Sequence, residues 1–410
     1  MNSPSDRIVA VDLLRGFALL GILIMNISSF GLPTGAYYNP LAYEPTLVNR
    51  VVHGVSHILA DQKMMAIFSM LFGASMILLM QKTEAAGRKF GGFHYARTGW
   101  LLLFGILHFV FLWEGDILAL YALCGFLLFL FRRLPAWAGI SFGILIFLAP
   151  IIWEPSLQRS LANLDDANVT GVEKWWAPPT DVIEEDIEIF RGSYVDQIAD
   201  RFDEPSDTEG EEEVSEWPAA TIAIEAFCRA LGMMLAGMGL YRSGVLTGQR
   251  SASFYRRMLA LSLPLGLGIS TFGLWMYYQH DYAFPWSLSL GRTPNHIATV
   301  FMVGAYVSMI MLWSKSARFE SLKLRLTNVG RMAFSNYIGQ TVLATLIFYG
   351  WGLGLYGRLN RLELLGIMIL IWIIQLFVSP WWLARFRYGP LEWLWRTMSY
   401  WKWQPMRRDS

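Results

Sequence analysis

Histidine is the side chain whose ordinary pKa suits proton transfer near neutrality, and His57 and His108 both stand near carboxylates in sequence. His108 lies in GILHFVFLWEGDILALYALCGF, six residues before Glu114 and eight before Asp116. Read as one straight helix, this stretch separates His108 from Asp116 by roughly 12 Å of rise. That is too far for a direct bond, but both side chains could line one cavity. The plainer alternative is a core histidine hydrogen-bonded to a carbonyl. His53 and His57 lie four apart in VVHGVSHILADQKMM, with Asp61 four residues further on. Two histidines and an aspartate could suggest a metal, but no third firm ligand follows at the right spacing, so no metal site is predicted.

Other polar groups interrupt apolar runs. The stretch RIVAVDLLRGFALLGILIMNISSF carries Asp12 and Arg15 three residues apart and Asn26 at its far end. Glu225 and Arg229 are four apart in a second run, on one helical face. An ionisable group inside a membrane span costs about 2.5 kcal/mol or more on insertion scales, so such groups face a bundle interior or a water-filled cavity. Each pair reads either as an ion pair locking helices together or as a ligand contact. Arg229 in the second reading meets an anionic ligand or intermediate.

The elements that hold these residues are membrane helices. Of 410 residues, 54% are hydrophobic and 16% charged, against about 25% charged in soluble domains. The apolar residues fall in long runs rather than stripes. The expected fold is all-α: a polytopic membrane bundle of about ten helices, each needing about 20 mostly apolar residues. The candidate spans are 8–29, 62–81, 98–115, 117–132, 134–153, 218–241, 258–279, 294–314, 333–355 and 362–384. The third and fourth, joined by EGDIL, form a tight antiparallel pair. The Gly-rich GWGLGLYG, which overlaps the end of the ninth, is expected to let helices approach closely. The N-terminal run is too long, and too charged, for a signal peptide. Cys124 and Cys228 both lie in apolar runs and make no disulfide framework.

Basic residues orient the bundle. With the N-terminus in the cytoplasm, the inner segments hold 22 of the 33 Lys and Arg, and the outer segments nine. Both termini are then cytoplasmic, and five of the six histidines fall on the outer side. Four regions follow. Residues 1–153 form an N-terminal five-helix half and 218–384 a C-terminal one. Between them, 154–217 is an outer insertion with 19 acidic and four basic residues. Its centre spaces Ile183, Ile187, Phe190, Tyr194 and Ile198 as an amphipathic helix over the outer mouth. Asp181 and Glu184 suggest its capping box. The acidic run after it reads as a solvated linker. The tail 385–410 mixes Arg, Lys and aromatics, as an interfacial helix on the anionic inner surface does.

No nucleotide-binding loop, Gly-x-Ser-x-Gly elbow or His-Glu-x-x-His helix is present. No basic domain suggests nucleic acid. No permanently bound cofactor is expected, and any small molecule must dock between helices.

The opening helix, with Arg, a short gap, Asp, two residues and Arg-Gly, resembles that of the transmembrane acyltransferases. DQKMMAIFSMLFGAS, LLFGILHFVFLWEGDILALYALCG, GRMAFSNYIGQT and SPWWLARFRYGPLEWLWR resemble the YeiB family of bacterial membrane proteins over nearly the whole chain. The wider group includes heparan-alpha-glucosaminide N-acetyltransferase. The resemblance implies a multi-pass protein of the bacterial inner membrane. It also implies transfer of an acyl group from cytosolic acyl-CoA to an extracytoplasmic sugar, lipid or other small molecule. The surface-sugar enzymes of the group commonly have a catalytic His where this chain has Asn26. The glucosaminide enzyme has Asn there and its His in the loop before the second helix, the region of His57 and, less closely, His53.

On this reading His108 or His57 is the base, Asp116 or Glu114 orients it, and Asn26 donates to the developing oxyanion. Asp12, Arg15, Glu225 and Arg229 border the polar path. Arg331, Arg385 and Arg387, with Asn336, Tyr337 and Gln340, form the inner entrance for the donor. The competing readings are a transporter or lipid-handling protein using the same buried charges, and a scaffold whose acidic loop binds a partner. A homodimer stays open.

Overall fold

The first apolar run becomes the axis of the molecule. The computed structural model describes residues 8–163, 176–202 and 217–408, and α1 (Val9–Gly31) is its most enclosed long helix, 72% buried against 17% to 61% for six other apolar helical stretches. In chain order follow α2 (Leu47–Leu59), α3 (Lys63–Ala85), α4 (Phe90–Phe111), α5 (Leu118–Leu128), α6 (Ala136–Leu148) and α7 (Pro150–Ala162). Then come α8 (Thr180–Arg191), α9 (Tyr194–Asp200), α10 (Trp217–Arg242), α11 (Ala252–Gln279) and α12 (Thr293–Ser314). The chain ends with α13 (Glu320–Arg331), α14 (Ala333–Phe348), α15 (Arg361–Arg385) and α16 (Pro390–Tyr400).

Among the described residues, seven helical stretches are long and apolar enough to cross a membrane: 9–31, 47–85, 136–162, 220–242, 252–279, 290–314 and 361–385. The three remaining sequence-predicted spans are helical as α4, α5 and α14. The fold is thus an all-helical membrane bundle. α1 packs against α3, α12, α13, α14 and α15. The outward faces of α11 and α15 present Leu261, Leu265, Phe272, Ile369, Ile373 and Phe377, the apolar surface that lipid requires.

Glycines set the closest crossings. A Cβ on Gly330 would lie 1.9 Å from the Asp12 carbonyl, and one on Gly16 would lie 2.1 Å from the Leu326 carbonyl, so α1 and α13 touch backbone to backbone. Gly73 of α3 and Gly237 of α10 meet the Met234 and Met70 carbonyls in the same way. Small residues are how helices in lipid reach this distance.

Asp12 and Arg15 pair at 2.7 Å near the start of α1, and Arg15 also donates to Ser75 Oγ at 2.9 Å. On the same side, the tail folds as the helix α16. Its Glu392 accepts from the backbone N–H groups of Phe334 and Ser335 at 2.7 and 3.1 Å, capping α14. Arg97 stacks on its Trp395, 3.3 Å from the ring centre.

Three expectations need correction. The ninth span does not run to 355: α14 stops at Phe348, where Tyr349 turns extended, and GWGLGLYG forms a loop with left-handed Gly354 and Gly357. Those glycines do not join helices. Gly350 instead lets residues 190–192 close on the loop, where its N–H donates to the Phe190 carbonyl at 2.9 Å. The amphipathic helix of the insertion is also two helices, α8 and α9, broken at Gly192. Asp181 and Glu184 do not form its capping box. α8 begins at Thr180 behind Pro179 without a side-chain cap, whereas Ser193 and Asp196 form the box that starts α9. The acidic run 203–216 lies outside the described residues.

Candidate functional site

The end of the bundle covered by α8 and α9 contains a cavity of about 430 Å³. Its lid is tied on by directional bonds. Asp186 accepts from the Thr34 N–H at 3.1 Å and the Tyr356 hydroxyl at 2.9 Å. Arg201 donates to the Val110 and Leu112 carbonyls left open at the end of α4, at 2.9 and 3.2 Å. Trp176 Nε1 donates to the Tyr282 carbonyl at 2.7 Å.

The chemistry in the wall begins where α2 ends. The chain reverses through Asp61 and a left-handed Gln62 into α3, which brings Asp61 back beside the last turn of α2. His57 Nδ1 lies 3.0 Å from Asp61 Oδ2. That oxygen also accepts from Asn295 Nδ2 at 2.8 Å. Lys63 Nζ donates to the His57 carbonyl at 2.8 Å and to Asn295 Oδ1. A carboxylate on Nδ1 favours the tautomer protonated there, leaving a lone pair on Nε2. His57 Nε2 has no partner among the described residues, and His57 borders the cavity. His53 stacks on the His57 ring, centroids 6.1 Å apart. Asn26 borders the same space from α1.

A cluster of arginines stands in the same wall. Arg292 holds Glu225 with both ends of its guanidinium, at 2.7 and 2.9 Å, and Arg229 Nη1 reaches Glu225 Oε1 at 3.1 Å. Tyr37 and Tyr38 face them from the loop after α1. Burial pushes the Tyr37 hydroxyl pKa up. Burial likewise pushes the Glu114 carboxyl up, with Arg201 opposing it.

His108 is not in this wall. Its Nδ1 lies 2.9 Å from Asp116 and its Nε2 3.0 Å from Thr341 Oγ1, with 1% of the side chain exposed. The straight helix assumed from sequence is corrected here. α4 ends at Phe111, and the loop folds Asp116 back so that it caps the Ala119 N–H at 2.7 Å and meets His108 directly. Glu114 does border the cavity, and Glu225 stands behind it.

Asp12, Arg15, Asn336, Tyr337, Gln340 and Arg385 also lie away from the cavity. Asn336 and Gln340 are bonded to Ser379 and Gln375, closing α14 onto α15. The Tyr337 ring packs 5.3 Å from that of His108. Arg385 lies over Trp381. At the opposite end of α3, α4 and α5 from the cavity, an open cleft of about 460 Å³ is bordered by Glu84, Arg88, Lys89, Arg132 and Arg133 over Phe90 and Phe129. No group of three or more His, Cys, Asp or Glu among the described residues is placed to hold a metal.

Sequence reasoning missed Lys63, Arg292 and Asn295. Lys63 and Arg292 were visible as cations flanking apolar runs. The approach of Asn295 to Asp61, across 234 residues, had no local signal.

A helical membrane protein with a lidded cavity, bordered by histidines and two arginines among apolar side chains, is the class that fold and site define. The chain belongs to the YeiB family. It is 32% identical over 407 residues to "Uncharacterized protein YeiB" of Escherichia coli (strain K12), covering 96% of each chain. It is 28% identical over 418 residues to "Uncharacterized protein YxaH" of Bacillus subtilis (strain 168), covering 99% of this chain and 97% of that one. Residues 240–402 match the family model described as "Protein of unknown function (DUF418)".

Proposed function

We propose that the protein is an acyltransferase of the bacterial inner membrane, moving an acyl group from cytosolic acyl-CoA to an acceptor in the lidded cavity on the outer face. One observation carries the reading: His57, backed by Asp61, borders a space large enough for a small acceptor, and its Nε2 has no partner among the described residues. In the reaction Nε2 takes the proton from an acceptor hydroxyl or amine. The acceptor oxygen or nitrogen bonds to the thioester carbon, the C–S bond breaks, and the CoA thiolate leaves with the proton held on the imidazole. Asp61 orients the ring and stabilises its charged form, and the Asn26 amide donates to the oxyanion. His108, with both nitrogens engaged, fastens α4, the α4–α5 loop and α14 instead of acting as the base. The likeness of the first helix to the transmembrane acyltransferases supports the same reading.

The donor's phosphates are assigned to the inner cleft of Arg88, Lys89, Arg132 and Arg133, because guanidinium forks match phosphate oxygens and this cleft shares α3, α4 and α5 with the cavity. Calorimetry with CoA tests the donor. Wild type should bind, Arg132→Gln/Arg133→Gln should bind about tenfold more weakly (near 1.4 kcal/mol), and Arg385→Gln should bind as wild type does. Absence of CoA binding by folded wild type removes the acyl-transfer reading. A transporter, the alternative, draws on the same pair of cavities at opposite ends of three helices and requires no CoA.

A further inference from the structure

We infer that the molecule bound in the lidded cavity carries an oxyanion, a carboxylate or phosphate on a sugar-sized polar body, which docks on Arg229 beside Arg292. This deepens the acyl-transfer reading by naming the class of acceptor, and it rests on that reading for the acceptor role alone.

Two guanidinium groups in the wall of the cavity share one carboxylate. Arg292 already engages both oxygens of Glu225. Arg229 adds a third, longer bond through Nη1 to an oxygen that Arg292 holds. Among the described residues, Arg229 Nε and Nη2 have no protein partner, and the side chain keeps 18% exposure in the wall of the cavity.

The surrounding charges do not take up that fork. Asp61 is committed to His57 and Asn295. Lys63 is turned to Asn295 and the His57 carbonyl. Glu154 stands behind the wall and accepts from Thr293. His296 is bonded to the Phe147 carbonyl at 2.6 Å. Glu114 is at the lid, within reach of Arg201.

A guanidinium left with a free N–H fork in an enclosed space is costly to keep and well shaped for a carboxylate or phosphate. The fold does not require it, because removing Arg229 leaves the two-point Arg292–Glu225 pair whole. Arg229 borders the same cavity as Asp61 and His57, so an anion held there shares that space with the proposed base. Tyr38, Tyr277, Tyr282 and Trp113 border the same space and give flat faces to a ring bearing that anion.

Calorimetry of the purified protein in lipid nanodiscs, without CoA, tests the inference with glucuronate, glucose 6-phosphate and glucose. At least one of the two anions should bind more tightly than glucose, and the tighter one identifies the oxyanion. Arg229→Gln should melt as wild type does and lose that binding about tenfold. Arg229→Lys, which keeps the charge without the fork, should fall between the two. Equal binding of glucose and both anions overturns the inference, as does binding of neither anion, or unchanged anion binding by Arg229→Gln. If Arg229→Gln does not fold, Arg229→Lys decides: wild-type anion affinity in that variant overturns the inference. CoA is absent throughout, so failure here leaves the donor assignment standing, and anion binding by a protein that ignores CoA sinks only the acyl transfer.

Discussion

His57→Gln is expected to lower acyl transfer about 10²–10⁴-fold, the usual cost of losing a general base, while folding and CoA binding persist. Glutamine fills a similar volume and keeps a donor for Asp61, which Asn295 also holds. It offers no nitrogen that takes up a proton near pH 7. His108→Gln should do the reverse. Its amide cannot bridge Asp116 and Thr341 from opposite edges as the imidazole does, so at least one bond in the core is unmade at a cost of about 1–3 kcal/mol, yet transfer by the molecules that fold should continue. Turnover by both variants, set against their melting temperatures, separates a base from a structural histidine. Full activity in His57→Gln contradicts the assignment.

Gly330→Val is expected to prevent the bundle from assembling. A Cβ there meets the Asp12 carbonyl at 1.9 Å and the Gly16 N–H at 2.6 Å, and both are backbone of the most enclosed helix. No side chain can move aside, so α1 and α13 must separate. Overpacking in an interior costs about 1–3 kcal/mol even where side chains can shift. Size-exclusion profiles of detergent extracts should show no monodisperse peak for Gly330→Val. Gly339→Ala, with nothing within 4 Å of the new methyl, should elute and melt as wild type does. A monodisperse Gly330→Val would mean that the α1–α13 contact does not organise the fold.

What the sequence made legible, and what it hid, follows from the range of each interaction. Helices in lipid announce themselves through composition, so the helical bundle could be read, as could the Asp12–Arg15 and Glu225–Arg229 pairs at helical spacing. Breaks inside apolar stretches were harder. The loop after Phe348 is hydrophobic enough to pass as helix, and although EGDIL marked a joint, only the turn geometry sends Asp116 back to His108. The wall of the cavity was least legible. Asp61 meets Asn295, and Glu225 meets Arg292, through crossings of helices far apart in the chain. Each of those residues alone looks like an ordinary polar residue at the end of an apolar run.

The most direct measurement is sided transfer in proteoliposomes. Protein is reconstituted and sorted by orientation, acyl-labelled acyl-CoA is enclosed on the side of the inner cleft, and glucuronate or glucose 6-phosphate is supplied on the lid side. Covalently labelled acceptor is expected on the lid side, at a rate that falls at least about a hundredfold in His57→Gln. Intact labelled acyl-CoA emerging on the lid side, with no labelled acceptor, contradicts acyl transfer and makes the protein a transporter; transfer that continues unchanged in His57→Gln contradicts the reaction centre.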